Sequence, residues 1–394
     1  MKICGIVAEY NPFHRGHAWH MAETRRVLGA DAVLVCAMSG NFVQRGDFAV
    51  LEKYDRAAMA VEGGADLVVE LPLAAALSSA EGFAQGAVGV LSALGCGYLS
   101  FGAECAEVPL LRRAAALREV IRPGLAAALR AGLSYAAAVQ KAMEPFDAQA
   151  AALLSAPNNT LAIAYCAALE GTGAVPVAIP RRGAGHDSAR PAEGFASASL
   201  IRRALREGQA GWEAWMPRPA AETLSAALRE GRAPVALENC ECAVLAHLRR
   251  MDADALRPFA PTADGLAERL CRAVRDCGTF RAVCEAAQTR RFPLSRIRRT
   301  LLRAYLDIPA ESAVTPQYLR VLAIGRRGAE VLRDAQGRLP VIVKPTAERA
   351  LPDALQPLLR RDAVADALYA LALPNPARRE AGARWRKTPF IGRA

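Results

Sequence analysis

The sequence predicts an α/β fold: a parallel, Rossmann-like sheet with an inserted group of helices, followed by a mainly α-helical C-terminal region. Three observations support this prediction. Short apolar runs alternate with helical segments up to about residue 205, a pattern typical of parallel sheets covered by helices on both faces. Residues 106–153 are rich in Ala, Leu and Arg at helical spacing, which predicts the insertion. After residue 206 the strand signal nearly vanishes.

The N-terminal elements follow in order along the chain. Apolar, partly β-branched runs predict buried strands at residues 2–8, 31–37, 66–72, 97–102 and 175–179. Helical spacing predicts helices at residues 16–28, 53–63, 80–95 and 157–169, with another starting at Ser199. Ligands of such sheets bind beyond the carboxyl ends of the strands. We therefore expect the site in the loops at residues 9–17, 38–47, 72–80 and 102–105.

The change of pattern near residue 206 predicts two domains, residues 1–205 and residues 206–394. In the second, Arg- and Leu-rich helices are separated at Pro217, Pro234 and Pro258, because proline interrupts a helix interior. We expect this region to be basic and α-helical.

Composition excludes a disordered chain and a membrane-spanning one. The 394 residues are 53% hydrophobic and 23% charged, which is typical of globular proteins, and charge, Gly or Pro breaks the longest apolar stretches. Several of the ten cysteines lie in apolar runs, and no Cys-x-x-Cys pair occurs, so we expect buried free thiols, no metal site and a reducing, cytoplasmic location. The net charge of +11 fits a polyanionic partner or an Arg-rich proteome equally well.

The first candidate motif is residues 11–17, NPFHRGH, at a predicted strand-to-helix junction. Gly16 allows a ligand to approach the backbone closely, and a helix N-terminus offers free N–H groups to a phosphate. His14 and His17 could donate hydrogen bonds to phosphate oxygens as charge builds on a leaving group. The alternative is a pair of surface histidines at a helix cap. It is disfavoured because three of the five histidines fall within residues 14–20.

The second candidate motif is Ser197, Ser199 and Arg202. Two hydroxyls at a helix start and an arginine one turn later suit a second grip on a triphosphate. An ordinary Ser-capped helix is the alternative, and it would be favoured for this motif alone. Four further segments, at residues 38–46, 101–104, 157–161 and 181–187, each follow a predicted strand or precede a helix, and each alone could be a turn.

Taken together, these six segments resemble the bacterial tRNA(Met) cytidine acetate ligase family of the nucleotidyltransferase superfamily. The HRGH sequence at residues 14–17 is similar to the superfamily's His-x-Gly-His signature. Residues 9–17, 38–46, 66–72 and 157–159 are very similar to segments of that family. The resemblance is close over the first 205 residues and looser beyond them. It implies a Rossmann-like nucleotidyltransferase domain.

The resemblance also implies an activity. Acetate and ATP would form acetyl-adenylate, and the acetyl group would pass to N4 of the wobble cytidine of elongator tRNA(Met). ATP, acetate and this tRNA are therefore the expected partners, and whether Mg²⁺ assists is left open. His14 and His17 are the expected catalytic residues. The expected ATP-binding residues are Val7, Ala8, Glu9, Tyr10, Asn11, Pro12, Phe13, His14, Arg15, Gly16, His17, Ala18, Trp19, His20, Gly102, Asn158, Asn159, Arg182, His186, Ser197, Ser199 and Arg202.

Three positions depart from the family pattern. Arg15 replaces an Asn between the two histidines, Gly185 stands where Tyr often precedes His-Asp, and Ser199 replaces Thr. The departure at Gly185 weakens the role expected of His186 and its neighbour Asp187.

A basic segment in the second half provides the expected RNA surface. Arg296, Arg299 and Arg303 recur at helical spacing, and Arg290 and Arg291 precede them. One basic helical face suits the tracking of phosphates, whereas a solvated Arg face is the ordinary alternative. The tail at residues 384–387, RWRK, could stack on a base or be a flexible terminus.

Two other functions are compatible with parts of the pattern. A small-molecule adenylyltransferase would share the His-x-Gly-His signature, but such chains are usually a single sheet domain and do not need the basic helical half. A non-catalytic RNA-binding protein with a degenerate nucleotide fold would not need to keep His14, Gly16, His17, Ser197 and Arg202 together.

Overall fold

A computed structural model describes residues 1–181, 194–260, 265–335 and 337–392 of the chain. The strands are β1 (Ile3–Ala8), β2 (Val33–Ser39), β3 (Phe42–Val43), β4 (Asp47–Phe48), β5 (Leu67–Leu71), β6 (Tyr98–Ala103), β7 (Val175–Pro180), β8 (Leu319–Ile324), β9 (Val341–Ile342) and β10 (Phe390–Ile391).

The helices that precede residue 210 are α1 (Arg15–Leu28), α2 (Lys53–Glu62), α3 (Leu73–Ala76), α4 (Ala80–Ala93), α5 (Val108–Arg130), α6 (Tyr135–Met143), α7 (Ala148–Leu153), α8 (Pro157–Ala168) and α9 (Ala198–Arg206). Those that follow are α10 (Arg218–Arg229), α11 (Glu241–Leu248), α12 (Ala253–Leu256), α13 (Leu266–Asp276), α14 (Phe280–Ala287), α15 (Leu294–Tyr305), α16 (Gly328–Asp334) and α17 (Gln356–Ala370). Each element predicted before residue 206 is present within a few residues of its expected bounds. None of the described helices is long and apolar enough to cross a membrane.

The central sheet has the strand order β10-β8-β5-β2-β1-β6-β7, with β9 paired to β8. β1, β2, β5, β6 and β7 are mutually parallel. The chain moves outward from β1 in one direction through β2 and β5, and in the other through β6 and β7. The order therefore reverses between β1 and β6, and in doubly wound sheets the crevice at such a point binds ligands.

Alternation along β2 shows how the sheet is buried on both faces. All seven residues of this strand are buried. Val33, Val35 and Ala37 face a core that α4, α5 and α8 complete, whereas Leu34 and Cys36 face a core completed by α1, α2, α9 and α10. A strand covered on both sides reads as a continuous apolar run, which is why the sequence pattern identified it.

The expectation that strands vanish after residue 206 is wrong for three segments. β8 pairs antiparallel with β5, while β9 and β10 pair with β8, so the C-terminal half extends the N-terminal sheet. Short length hid β9 and β10. The charge of Arg320 interrupted the apolar run of β8, although this side chain is only 3% exposed. The helices that lie between residues 235 and 308 nevertheless build an apolar core of their own, to which α17 and the β3–β4 hairpin contribute.

A buried ion cluster joins the two halves where β5 meets β8. Its members are Lys53, Glu70, Arg320, Glu348, Asp366 and Arg384. Lys53 Nζ lies 2.9 Å from a Glu70 oxygen and 2.8 Å from an Asp366 oxygen. Glu348 Oε1 accepts from Arg320 at 2.6 Å and from Arg384 at 2.8 Å. The tail around Arg384, which is 5% exposed, is therefore anchored by ion pairs, whereas the neighbouring Trp385 is 50% exposed.

Candidate functional site

The candidate site lies where β1 and β6 end, at the point where the strand order reverses. β1 leads through residues 9–14 into α1. Tyr10 adopts a left-handed conformation with φ of 45°, which is uncommon for a residue with a side chain, and its ring packs edge-on against Phe13 at 5.0 Å. Tyr10 and Phe13 are 2% and 0% exposed. Their side chains therefore belong to the core, and their backbone shapes the turn.

His14 and His17 form a reciprocal cap at the start of α1. Nδ1 of His14 accepts from the Gly16 N–H at 3.1 Å, and Nδ1 of His17 accepts from the His14 N–H at 3.2 Å. Because each Nδ1 accepts a hydrogen bond, a neutral ring carries its proton on Nε2. The rings are stacked with centroids 3.7 Å apart. Two Nε2–H donors therefore lie side by side at a helix N-terminus.

Both inner histidines of α1 are held neutral. Burial lowers the pKa of His17 well below its usual 6.5, and the nearby His14, Arg181 and His20 lower it further. Burial, followed by Arg181, lowers the pKa of His20 to about 4. A neutral imidazole can donate to an anion without carrying a buried charge into the site.

His20 is fixed by a closed ring of hydrogen bonds that reaches β6. Its Nε2 lies 2.9 Å from Ser100 Oγ, and Ser100 Oγ lies 2.7 Å from Thr24 Oγ1. Thr24 Oγ1 donates to the His20 carbonyl at 2.8 Å. Since that bond uses the Thr24 proton, Ser100 donates to Thr24 and His20 donates to Ser100. This ring ties α1 to the middle of β6 across the point where the order reverses.

The second predicted motif meets the first in space. Ser197 caps α9, with its Oγ accepting from the Leu200 N–H at 3.2 Å and lying 2.9 Å from Ser199 Oγ. Arg202 donates from Nη1 to the Asn11 carbonyl at 2.7 Å, and its burial lowers the pKa of its guanidinium, which the neighbouring Asp47 and Glu9 partly offset. The two segments lie almost 200 residues apart in sequence, and the fold brings them together.

The end of β6 supplies the opposite wall. A Cβ added at Gly102 would lie 3.5 Å from Arg181 Cγ, an ordinary van der Waals contact, so the stem of Arg181 packs beside this strand. Arg181 Nη1 donates to Asn158 Oδ1 at 3.2 Å. Asn159 is 4% exposed, and its Oδ1 accepts from the Cys105 N–H at 2.9 Å. Of the two candidate asparagines, Asn158 therefore faces the site and Asn159 holds the loop.

Two arginines of this region, Arg181 and Arg56, were not predicted as site residues. Arg182 and His186, with Asp187, lie outside the described residues, whereas the adjacent Arg181 reaches the site. Arg56 is 0% exposed and donates to the carbonyls of Glu9, Ser39, Gly40 and Leu51. A fully buried guanidinium that binds carbonyls at the ends of β1 and β2 fixes the two loops relative to each other. Its helix was predicted, but nothing in the pattern showed that its side chain turned inward.

The loop after β2 closes the site from a third side. Glu9 Oε1 accepts from the Gln44 N–H at 2.7 Å. The basic helix α15 packs on this loop: Arg299 donates to the Gln44 carbonyl at 3.2 Å, and Arg298 donates to the Gly46 carbonyl at 3.0 Å. A Cβ at Gly46, where φ is +72°, would lie 2.5 Å from the Arg299 nitrogen, so only glycine permits this approach.

The five arginines predicted to bind RNA therefore separate. Arg290 is exposed, and Arg291 and Arg296 are partly exposed. Arg299 braces the loop after β2, and burial lowers its pKa to about 10. The prediction is wrong for Arg303, which is 6% exposed and donates to the carbonyls of Ala74, Leu77, Ile308 and Pro309. Helical spacing correctly placed Arg303 on a helix, but its guanidinium binds carbonyls at the C-terminal end of the neighbouring α3, which have no partner within that helix.

The remaining predicted residues of segment 7–20 fall into two groups. Asn11 is buried, and its Oδ1 accepts from the Val50 N–H at 2.7 Å, so this side chain holds the turn, while Pro12 is buried beside it. Arg15 is exposed at the first position of α1, and Val7, Ala8, Ala18 and Trp19 are partly exposed around the junction.

Comparison with known proteins gives a consistent result. A family model described as HIGH Nucleotidyl Transferase matches residues 1–384. The tRNA(Met) cytidine acetate ligase of Acetivibrio thermocellus is 32% identical over 421 residues, which cover 99% of this chain and all of the relative. The protein of the same name from Syntrophotalea carbinolica is 38% identical over 358 residues, which cover 87% of this chain and 84% of the relative.

Solved structures agree across the whole chain. The crystal structure of Thermotoga maritima TmcAL without ligand superposes with a TM-score of 0.93 at 30% identity and covers 100% of both chains. The structure of the same protein bound with alpha-thio ATP has a TM-score of 0.92 at 29% identity, again with full coverage.

Proposed function

Because this chain belongs to the HIGH nucleotidyl transferase family and, within it, to the tRNA(Met) cytidine acetate ligases, we propose that it activates acetate with ATP and acetylates N4 of the wobble cytidine of elongator tRNA(Met). The product is N4-acetylcytidine. A tRNA substrate also implies that the protein works in the cytoplasm.

One observation supports this proposal above the others: the stacked pair His14 and His17 presents two Nε2–H donors at the N-terminus of α1, beside the point where the strand order reverses. In the first step an acetate oxygen attacks the α-phosphorus of ATP. The bond from that phosphorus to the bridging oxygen breaks, and pyrophosphate leaves. Donors placed where negative charge grows on a leaving group stabilise the transition state.

The rest of the site has the groups that this step requires. Arg181 and Arg202 lie on opposite walls of the site. One guanidinium group can donate two parallel hydrogen bonds to a pair of phosphate oxygens. We expect the adenosine beside Gly102, where the missing side chain lets a ligand approach the backbone. No nucleophilic side chain is needed, because acetate is itself the nucleophile and the protein mainly positions and stabilises.

In the second step the N4 amine of cytidine attacks the carbonyl carbon of acetyl-adenylate. The bond from the acyl carbon to the phosphate oxygen breaks, AMP leaves, and the amine loses one proton. The net charge of +11 favours association with an RNA polyanion. A basic surface on α15 and the segment before it is formed by the exposed Arg290 and the partly exposed Arg291 and Arg296.

The decisive experiment supplies the protein with labelled acetate, ATP and a transcript of elongator tRNA(Met), with and without Mg²⁺. We expect acid-stable label in the RNA and one pyrophosphate released per acetyl group. A transcript whose wobble cytidine is replaced by uridine is the matched control and should stay unlabelled. Equal labelling of both transcripts, or pyrophosphate release that does not depend on acetate, would contradict the proposal.

A further inference from the structure

Glu104 lies just after the end of β6, and its carboxylate accepts two hydrogen bonds. Its Oε1 accepts from Asn158 Nδ2 at 2.5 Å, and its Oε2 accepts from the Asn159 N–H at 2.9 Å. An ionised carboxylate only accepts hydrogen bonds. Glu104 therefore dictates which end of the Asn158 amide turns toward it.

The orientation of that amide determines what Arg181 meets. With Nδ2 directed at Glu104, Asn158 Oδ1 points to Arg181 and accepts from Nη1 at 3.2 Å. If the amide turned over, Nδ2 would face the guanidinium, and two donors would oppose each other. The neighbouring Asn159 cannot take over this role, because its Oδ1 is bound to the Cys105 N–H.

Arg181 connects this wall to the histidines. Its charge lowers the pKa of both His17 and His20, and its stem lies beside Gly102. Burial lowers the pKa of Arg181 itself, and the charge of Glu104 opposes that effect. A carboxylate, an amide and a guanidinium thus lie in sequence from the loop toward the histidines.

We propose that Glu104 is a positioning residue for the adenylation step: through Asn158 it aims Arg181 at the phosphates of the nucleotide. The inference rests on the proposed function, because it requires ATP beside the histidine pair. Glu104 itself touches neither ATP nor acetate. Its effect depends on hydrogen-bond polarity, and not merely on negative charge near the site.

This polarity permits a test by exchange. In Glu104→Gln the new side-chain amide can accept from the Asn159 N–H, but it presents its NH₂ to Asn158, whose amide must turn over and oppose Arg181. Adding Asn158→Asp restores every bond, because the amide now at position 104 donates to the carboxylate now at position 158, and that carboxylate accepts from Arg181. The double variant has the same net charge as the wild type, since the carboxylate simply moves one contact closer to Arg181.

We expect Glu104→Gln to lower kcat/KM for acetate-dependent pyrophosphate release roughly tenfold or more, since a misdirected charged hydrogen bond is lost. Asn158→Asp alone should also be impaired, because two carboxylates then face each other. The double variant should be several-fold more active than Glu104→Gln, which is strong non-additivity for residues in contact. The melting temperature of each variant is measured in parallel, since a merely structural role would change stability and activity together.

The matched control is Glu107→Gln, which removes the same charge three residues further along the chain. Glu107 is exposed, and its side chain makes no cap hydrogen bond. It should leave kcat/KM unchanged. Wild-type activity in Glu104→Gln, or a double variant no better than the worse single variant, would overturn the inference. An inactive wild type would instead count against the proposed function, and the two failures are therefore distinguishable.

Discussion

Two buried polar clusters lie at the same edge of the sheet, and they are built on opposite plans. At β1 and β6, the histidine cluster of His14, His17 and His20 uses neutral rings; His14 and His17 accept bonds from the backbone through Nδ1, and His20 donates to Ser100. At β5 and β8, the buried ion cluster pairs its cations with carboxylates of the protein itself. A group whose partners all belong to the protein stabilises the fold, whereas an imidazole at a helix N-terminus can serve an anionic ligand.

The comparison predicts different consequences of mutation for the two clusters. Loss of a member of the ion cluster should cost stability first, because it leaves buried charges with fewer partners of opposite sign. Loss of a member of the histidine pair should cost catalysis first, because the fold does not depend on its Nε2–H groups. Three measurements test this contrast.

The largest effect is expected for Glu348→Ala. Glu348 is 3% exposed and bridges Arg320 and Arg384, so its removal takes the shorter ion pair from both arginines and leaves each with one carboxylate at 3.3 Å. Breaking one partner of a buried ion pair typically lowers the free energy of unfolding by about 3–5 kcal/mol. Urea denaturation measures this loss, while kcat of the protein that remains folded should stay within about threefold.

The matched control for this variant is Glu330→Ala, which breaks an ion pair with Arg327 on an exposed helix turn. We expect less than about 1 kcal/mol there, because surface pairs contribute little. If both variants lost the same stability, the ion cluster would not be the joint between the two halves that its geometry indicates.

The second effect is catalytic. His17→Ala removes one Nε2–H donor from the stacked pair, and loss of one donor to developing charge typically lowers kcat about 10²–10³-fold. Acetate-dependent pyrophosphate release should fall by this factor. His247→Ala is the control, because His247 on α11 packs edge-on against Tyr305 at 5.8 Å, as His17 packs edge-on against Tyr10 at 4.8 Å. A His17→Ala enzyme with normal pyrophosphate release would remove the histidine pair from the mechanism.

The same contrast explains which of the two clusters could be predicted from the sequence. The histidine pair could be predicted because His14 and His17 lie three residues apart in the chain, and two imidazole side chains are unusual at a strand-to-helix junction. The ion cluster was missed because its members come from six distant segments, between Lys53 and Arg384, and each charge looked like solvated surface. Burial of a charge is a property of the folded partners and is not visible in local spacing.

Arg303 and Arg181 show the same limit within the site. The three- and four-residue spacing of Arg296, Arg299 and Arg303 correctly predicted one helix, but the spacing could not show that α3 and the β3–β4 hairpin lie against part of that face. Arg181 and Arg182 differ by a single position at the end of β7, where a parallel strand leaves the sheet. Local spacing could not show that the side chain of Arg181 reaches the site, because its position depends on the register of β7 against β6.

The smallest effect is a pH dependence of stability that belongs to the histidine cluster. The pKa of His20 is about 4 in the folded protein and 6.5 in its ordinary state. Above pH 6.5 the ring is neutral in both states, and His20 contributes no slope. Between pH 6.5 and about 4 the unfolded chain binds a proton that the folded protein does not, so the free energy of unfolding falls as pH is lowered, by about 1.4 kcal/mol per pH unit for one proton. Below that interval the contribution is constant.

His17 acts in the same direction, because its pKa is also lowered, so the wild type should show a slope above that of one proton. His20→Gln keeps a side-chain donor for Ser100 but cannot be protonated, and urea denaturation between pH 4 and 7 should show its slope reduced by about one proton. In the ion cluster, burial raises the pKa of Asp366, but Lys53 and Arg384 outweigh burial and lower it, so that carboxylate stays ionised over this interval. A slope unchanged in His20→Gln would therefore mean that the ring binds its proton equally in the folded and unfolded chain, and the neutral state of His20 in the folded protein would be wrong.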